Sequence, residues 1–145
     1  MGEAGQVDAT YTDFAKAFDR VNHRLLLRKL NLHGVSGSLL NWIESYLSGR
    51  TQAVRIGATV SRSFRTASGV PQGSQFGPLL FAIFVNDLCD VFQNSQFIMY
   101  ADNVKFYRNI SSTTDTHLLE EDLVRVGEWY KTNLIQPPSL DEYHQ

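Results

Sequence analysis

Residues 67–77 (ASGVPQGSQFG) pack three glycines and a proline into eleven positions, and residues 78–85 (PLLFAIFV) follow as an unbroken apolar run. Glycine and proline at that density interrupt any regular ladder of backbone hydrogen bonds, so the first stretch is a loop. Proline has its φ pre-set for a first helical turn, so Pro78 predicts a helix running to about residue 92. Its apolar side chains point nearly all round, which requires burial. A chain of 145 residues is long enough to supply that cover as one domain of ordinary size. The run itself is far short of the roughly 20 residues that span a bilayer.

The cover is legible on either side. Residues 7–14 (VDATYTDF) mix β-branched and aromatic side chains in partial alternation and predict a strand. Val21, Leu25, Leu26, Leu30 and Leu32 recur at helical spacing over residues 21–32, with Gly34 placed to end the helix. Ser36 or Ser38 caps a second helix with Leu39, Leu40, Ile43, Tyr46 and Leu47 on one face and Gly49 as its stop. Residues 51–56 and 60–66 alternate about Gly57-Ala58 as a hairpin. Residues 96–101 and 104–108 read as a second pair of strands with Asp102-Asn103 as their turn. Residues 118–130 read as an amphipathic helix, with Thr114 or Asp115 near its start. Beyond Ile135 the pattern gives way to Pro137-Pro138 and a polar tail, 136–145, read as disordered. Residues 1–135 therefore form one domain without repeat or linker. Its expected class is α+β, an antiparallel sheet with helices packed on one face. A βαββαβ-like core would set the first strand, ending near Asp13, beside the later pair that turns at Asp102.

Composition narrows the class. The chain is 43% hydrophobic and 19% charged, which argues against a collagen-like, disulfide-scaffold or wholly disordered chain. A single cysteine, Cys89, allows no internal disulfide, and no disulfide-linked partner is expected. With no basic and apolar leader at residues 1–8, the expected setting is soluble and intracellular, nucleus or cytoplasm undecided. The net charge of −2 hides an uneven distribution. Between residues 20 and 65 eight cations stand against Glu44, a local excess of +7, whereas residues 115–128 carry five acids against Arg125. A basic stretch of that size attracts a polyanion such as nucleic acid, or is a solvated helix face followed by an arginine-dotted hairpin.

Two acids carry the chemistry. Asp13 ends the first strand, and Asp102 follows Phe97, Ile98, Met99 and Tyr100 at the later turn. Alone, such acids are ordinarily a strand-end cap and a turn residue. Held on neighbouring strands, they can bind divalent ions, because hard cations take carboxylate oxygens and keep waters for substrate phosphate. With two ions about 4 Å apart, one activates an attacking hydroxyl while the other steadies the leaving oxygen.

Three segments in register resemble one family. Asp13-Phe14-Ala15-Lys16-Ala17-Phe18-Asp19 resembles the first catalytic motif of reverse transcriptases. Gly69-Val70-Pro71-Gln72-Gly73-Ser74, with Gly77-Pro78, is similar to their substrate-binding loop and helix, and Tyr100-Ala101-Asp102 to the start of their Tyr-Ala-Asp-Asp box. Gly34-Val35, Trp42, Tyr46-Leu47 and Arg50 fit the stretch between. The likeness covers roughly residues 7–133 and is nearest to enzymes of non-LTR (LINE-type) retrotransposons. It implies a ferredoxin-like polymerase palm that transfers nucleotides with two Mg²⁺ ions, or Mn²⁺ in their place. It also implies an RNA template, a DNA primer and deoxynucleotides as partners, with no membrane. Asp13 and Asp102 would be the catalytic, metal-binding carboxylates, with the Phe14 backbone carbonyl and Asn103 as further ligands. Ala17, Phe18, Gln72 and Gly73 would bind the nucleotide, Phe18 by leaving no room for a 2′-hydroxyl and Gly73 by letting the backbone approach closely. Tyr100 and Ala101 would lie by the primer–template. Apart from the resemblance, a plain core phenylalanine is the commoner reading of Phe18, and Tyr100 could as easily be core. Lys16 and Asp19 belong to the motif without a catalytic role, and an Asp19–Arg20 surface role is the ordinary alternative.

The chain departs from the family at Asn103, where a second aspartate is usual. An amide keeps an acceptor oxygen and loses the charge that helps hold a metal. Gln75-Phe76 replaces a more usual His-Leu pair. The resemblance further implies a truncated palm, without the fingers residues that clamp the triphosphate and without a thumb. Three functions stay open: a reverse transcriptase palm, a catalytically inactive retrotransposon relic, and a non-catalytic nucleic-acid-binding module.

Overall fold

The computed structural model describes residues 6–14 and 16–135, with Asp13 and Ala17 described by backbone alone. The tail read as disordered, 136–145, lies outside the described residues. In chain order the elements are β1 (Gln6–Asp13), α1 (Ala17–Arg20), α2 (His23–Leu32), α3 (Gly37–Leu47), β2 (Thr51–Gln52), β3 (Arg55–Ile56), β4 (Thr59–Val60), β5 (Phe64–Arg65) and α4 (Phe76–Val85). A 3-10 helix (Asn86–Val91), β6 (Gln96–Tyr100), β7 (Asn103–Ile110) and α5 (Thr113–Thr132) complete the order. The class is α+β, as the pattern predicts. The chain divides into two compact units: the first runs to Ala17 and resumes at Val85, and the second is Phe18–Phe84.

In the first unit an antiparallel sheet has the order β1-β7-β6. The β1–β7 ladder runs from Gln6 opposite Ile110 to Asp13 opposite Asn103. The expectation that the first strand lies beside the later pair therefore holds. Strand alternation puts Val104 and Phe106 on one face, where they are buried and α5 packs over β7. On that face Phe106 meets Phe92, with ring centroids 5.2 Å apart, and Phe92 stacks on Phe97 at 4.7 Å. The Thr12 hydroxyl pairs with the Tyr130 hydroxyl of α5 at 3.2 Å, both residues buried. Phe14, buried one residue past the strand, packs its ring 5.3 Å from Tyr130 and 6.0 Å from Trp129. The opposite face carries Val7, Tyr11, Ile98 and Tyr100, all exposed.

Several boundaries differ from expectation. The turn of the later strand pair is Ala101-Asp102 rather than Asp102-Asn103, because Asn103 pairs with Tyr100 on one side and Asp13 on the other. Two ladders claiming one residue override its turn preference. The helix that Pro78 predicts starts at Phe76, two residues inside the stretch read as loop, and does not continue to residue 92; α4 ends at Val85 and the backbone tightens into the 3-10 helix. Asn86 and Asp87 follow the apolar run, and short polar side chains compete with the helical backbone. The tighter turn lets the Asp87 carboxylate accept the Trp129 indole N–H at 3.0 Å.

In the second unit α2 and α3 pack together, and Leu26 and Leu30 of α2 and Ile43 and Leu47 of α3 are buried, as their spacing predicts. The α2 cap is Asn22, whose Oδ1 accepts the Leu25 N–H at 3.1 Å. Of the apolar face read on α3, Leu39 stays exposed, and so does neighbouring Trp42. The first hairpin closes over Gly57-Ala58 as two short paired pieces, β3–β4 and β2–β5.

Candidate functional site

The residues assigned by resemblance fall in both units: positions 13, 14, 17 and 100–103 in the first, and Phe18, Gln72 and Gly73 in the second. At one end of the sheet the backbone brings the acidic positions together. Asp13 is the last residue of β1, in register with Asn103, and the Phe14 N–H donates to the Asp102 carbonyl at 2.9 Å. That bond carries the ladder one step past the strand and pins the Asp102 backbone. Asn103 is exposed, and its Nδ2 donates to Asp102 Oδ1 at 3.2 Å. Ala101, the first turn residue, has φ 53°. A side chain there costs about 1 kcal/mol, a strain that persists because both flanking strands are fixed. Tyr100 beside it is 81% exposed, so it is a surface aromatic and not core.

The donor chemistry at this end fits a hard divalent ion: a carboxylate at Asp102, a second aspartate at the paired position 13, and the oxygen of an amide. Among the described side chains no cluster of three or more His, Cys, Asp or Glu occurs. A polar cavity of about 230 Å³, lined by Asn94, Gln96, Tyr107, Arg108 and Asn109, lies toward the far end of the β6–β7 pair. Its arginine is engaged, donating from Nε and Nη2 to Asp115 Oδ1 at 3.1 and 2.9 Å.

In the second unit the glycine-rich loop is fastened to the end of the first motif and to the segment that follows it. The Val70 N–H donates to the Phe18 carbonyl at 2.7 Å, and the Gly69 N–H to the Val21 carbonyl at 2.8 Å. Ser68 Oγ donates to the Asp19 carbonyl at 2.8 Å, and a His23 ring nitrogen lies 2.7 Å from the Gly69 carbonyl. Gln72 is exposed, and its Nε2 donates to Asp19 Oδ1 at 3.1 Å. Phe18 is half-buried, its ring 4.7 Å from that of Phe81. Gly73 has φ +78° with open space where a Cβ would stand. Close backbone approaches are made elsewhere: at Gly69, where an added Cβ would lie 2.8–2.9 Å from the Phe18 carbonyl oxygen and Asp19 backbone atoms, and at Gly77, where it would press on the Pro71 carbonyl oxygen. Sequence reasoning missed those contacts, and also the Tyr46 hydroxyl, which reaches Ser74 Oγ in the loop at 3.3 Å.

Residues 4–136 match the family described as reverse transcriptase (RNA-dependent DNA polymerase). The chain is 31% identical over 127 residues to the probable RNA-directed DNA polymerase from transposon X-element of Drosophila melanogaster, spanning 84% of this chain and 14% of that protein. It is 32% identical over 129 residues to the RNA-directed DNA polymerase from mobile element jockey of Drosophila funebris, spanning 82% and 14%. Over 77 residues it is 34% identical to the retrovirus-related Pol polyprotein from type-1 retrotransposable element R2 of Popillia japonica, spanning 52% and 11%. The chain belongs to the reverse transcriptase family. Within that family its relatives are those of non-LTR retrotransposons, of which it corresponds to a fragment.

Proposed function

We propose that residues 1–135 form the palm portion, with a ferredoxin-like core, of an RNA-directed DNA polymerase that acts inside the cell on an RNA template, a DNA primer and deoxynucleotides. The observation that carries this reading is the pairing of Asp13 with Asn103, together with the Phe14–Asp102 backbone bond, by which the end of β1 lies beside the turn that holds Asp102. Asp13 and Asp102, with the Phe14 carbonyl and the Asn103 amide oxygen, would hold two Mg²⁺ ions, or Mn²⁺. When bound, such ions supply activation of the attacking hydroxyl and neutralise charge on the leaving oxygen. The protein's own part is to fix these oxygens rigidly at a strand end and to orient the substrate. Gln72, Gly73, Ala17 and Phe18 would receive the nucleotide, with the exposed Tyr100 and neighbouring Ala101 by the primer end. Extension of a DNA primer on an RNA template in Mg²⁺ tests the reading. Asp13→Ala and Asp102→Ala should each abolish incorporation, and extension that survives both changes refutes it.

One observation favours a second reading, a catalytically inactive relic. Asn103 supplies an amide where the family usually has a carboxylate, and its Nδ2 occupies an oxygen of Asp102. If the unaltered chain is inert and Asn103→Asp remains inert in Mg²⁺, the relic reading stands; incorporation by the unaltered chain removes it.

A further inference from the structure

The Asp19 carboxylate, which follows the first motif's aromatic, accepts from Gln72 Nε2 at 3.1 Å. An ionised carboxylate has acceptors only, whereas a glutamine amide has a donor end and an acceptor end. The bond therefore decides which way the amide lies: nitrogen toward Asp19, and Oε1 turned away. Gln72 needs such a partner, since it is exposed in a loop between Pro71 and the open, positive-φ Gly73, where nothing else fixes a long side chain. The partner is itself well placed. The Asp19 carbonyl is held by the Ser68 hydroxyl, Val70 bonds to Phe18, and Gly69 lies so close to the Phe18–Asp19 backbone that no side chain fits between. The loop and the Phe18–Asp19 end of the motif are thus tied together within the second unit, and the distance from Asp19 to Gln72 is set by backbone.

We propose that Asp19 is a positioning residue for the nucleotide site: it orients the Gln72 amide so that Oε1 is presented to a hydrogen-bond donor of the incoming nucleotide, such as a sugar hydroxyl. This rests on the polymerase reading above, which assigns Gln72 to the nucleotide. The polarity matters more than the contact. Asn at position 19 could bond either end of the Gln72 amide and leave its direction undecided; Glu keeps an acceptor-only group. Because both side chains are exposed, the tether adds little to global stability, so loss of it need not disturb the fold.

The experiment uses the full ¹⁵N-labelled 145-residue chain, with the Gln72 side-chain amide signals assigned by their loss in Gln72→Leu. Those signals should shift and exchange faster with water in Asp19→Ala and Asp19→Asn, and return toward the parent's in Asp19→Glu, while the backbone spectrum is unchanged. Titration with dATP in Mg²⁺ should then give binding weaker by about five- to tenfold in Asp19→Ala and Asp19→Asn, the worth of one hydrogen bond. Asp19→Glu should recover most of it. Gln72 signals indifferent to Asp19→Ala would overturn the proposal, and so would dATP binding equal to the parent's in both Ala and Asn variants. If dATP perturbs no signal of the parent chain while the amide responds to Asp19, the nucleotide reading of Gln72 fails, and the positioning role fails with it. If dATP binds the parent normally and only the Asp19 dependence is missing, the polymerase reading survives and the positioning role alone is lost.

Discussion

At Gly69 and Gly73 the same residue type meets two different requirements. Both have positive φ, +93° and +78°, so alanine is strained at either by about 1–2 kcal/mol. At Gly73 that is the whole effect, because the space beyond is open. At Gly69 a Cβ would also press on three backbone atoms that cannot swing aside as a side chain can. Gly73→Ala should lower stability by about 1 kcal/mol in urea unfolding, and Gly69→Ala by clearly more, about 3 kcal/mol or above. Equal losses would show that the Phe18–Asp19 contact is not tight. The sequence revealed that this loop needs glycine but not which glycine does what, because the neighbour that crowds Gly69 comes from fifty positions upstream. Tyr100 teaches the converse. Its aromatic character fits core or surface equally, and only the pairing of Tyr100 with Asn103 decides for the exposed face. Asn103 itself was legible as a departure, and its consequence is testable: Asn103→Asp restores a charge and removes the donor on Asp102. Mg²⁺ should then bind about tenfold or more tightly in calorimetric titration, as ligand charge governs affinity for hard cations. Unchanged affinity would mean that position 103 takes no part in holding an ion.

Among the elements, α5 carries the clearest electrostatic design. It begins at Thr113, earlier than its apolar periodicity suggests, because Ser112 and Asp115 form a reciprocal capping box. The spacing of that box is the usual one, but an Asp fills the place where Glu or Gln is the familiar signal, so the sequence pattern alone points to Thr114 or Asp115 for the start. Hydrogen bonds from Arg108, then from the Ser111 N–H and the Ser112 hydroxyl, hold the Asp115 carboxyl below its ordinary pKa. One helical face later, Asp122 is fully buried. Burial by itself would raise its pKa. The N–H groups of Gln93 and Asn94, at 3.2 and 2.9 Å, and the Arg125 guanidinium at 2.6 Å, with the Ser95 hydroxyl alongside, outweigh that and hold it low. This carboxylate ties the turn before β6 to the helix. Asp122→Ala strands two backbone donors and should destabilise the chain by about 2–4 kcal/mol in urea unfolding. The sign of the pH effect follows from the direction of both shifts. A carboxyl with a depressed folded pKa contributes stability that is complete above its unfolded pKa, about 4, and is lost as pH falls through the folded value. Stability should therefore be flat on the acid side of neutrality and drop below about pH 4, with a shallower drop in Asp122→Ala. A drop of equal depth in both proteins would contradict the assignment.

Over the whole molecule, charge divides as the chain does. Phe18–Phe84 carries eight Lys and Arg against Asp19 and Glu44, while the rest holds five Lys and Arg against thirteen acids. The basic segment was plain in the sequence; that it coincides with a compact unit was not, since its ends are set by packing of α2 on α3 and by the loop's return to Phe18. A unit of net +6 is attached to one of net −8, and a basic unit of that charge would attract a polyanion if its cations cluster in space. Arg55, Arg62 and Arg65 lie on or beside the exposed hairpin strands, where their charges are available to solvent. If these arginines meet phosphates, each accounts for about 0.7 in the slope of log affinity against log salt for a single strand. Replacing all three by Gln should then lower the slope by about 2 and weaken binding to unrelated sequences alike. Lys131→Gln, an exposed cation in the acidic unit, should change neither. Fluorescence anisotropy with a labelled oligoribonucleotide over a series of salt concentrations measures both quantities. A slope untouched by the triple change would reduce the hairpin's arginines to a solvated surface, whereas the full decrease with Asp13→Ala also in place would show nucleic-acid binding that does not depend on the acidic end of the sheet.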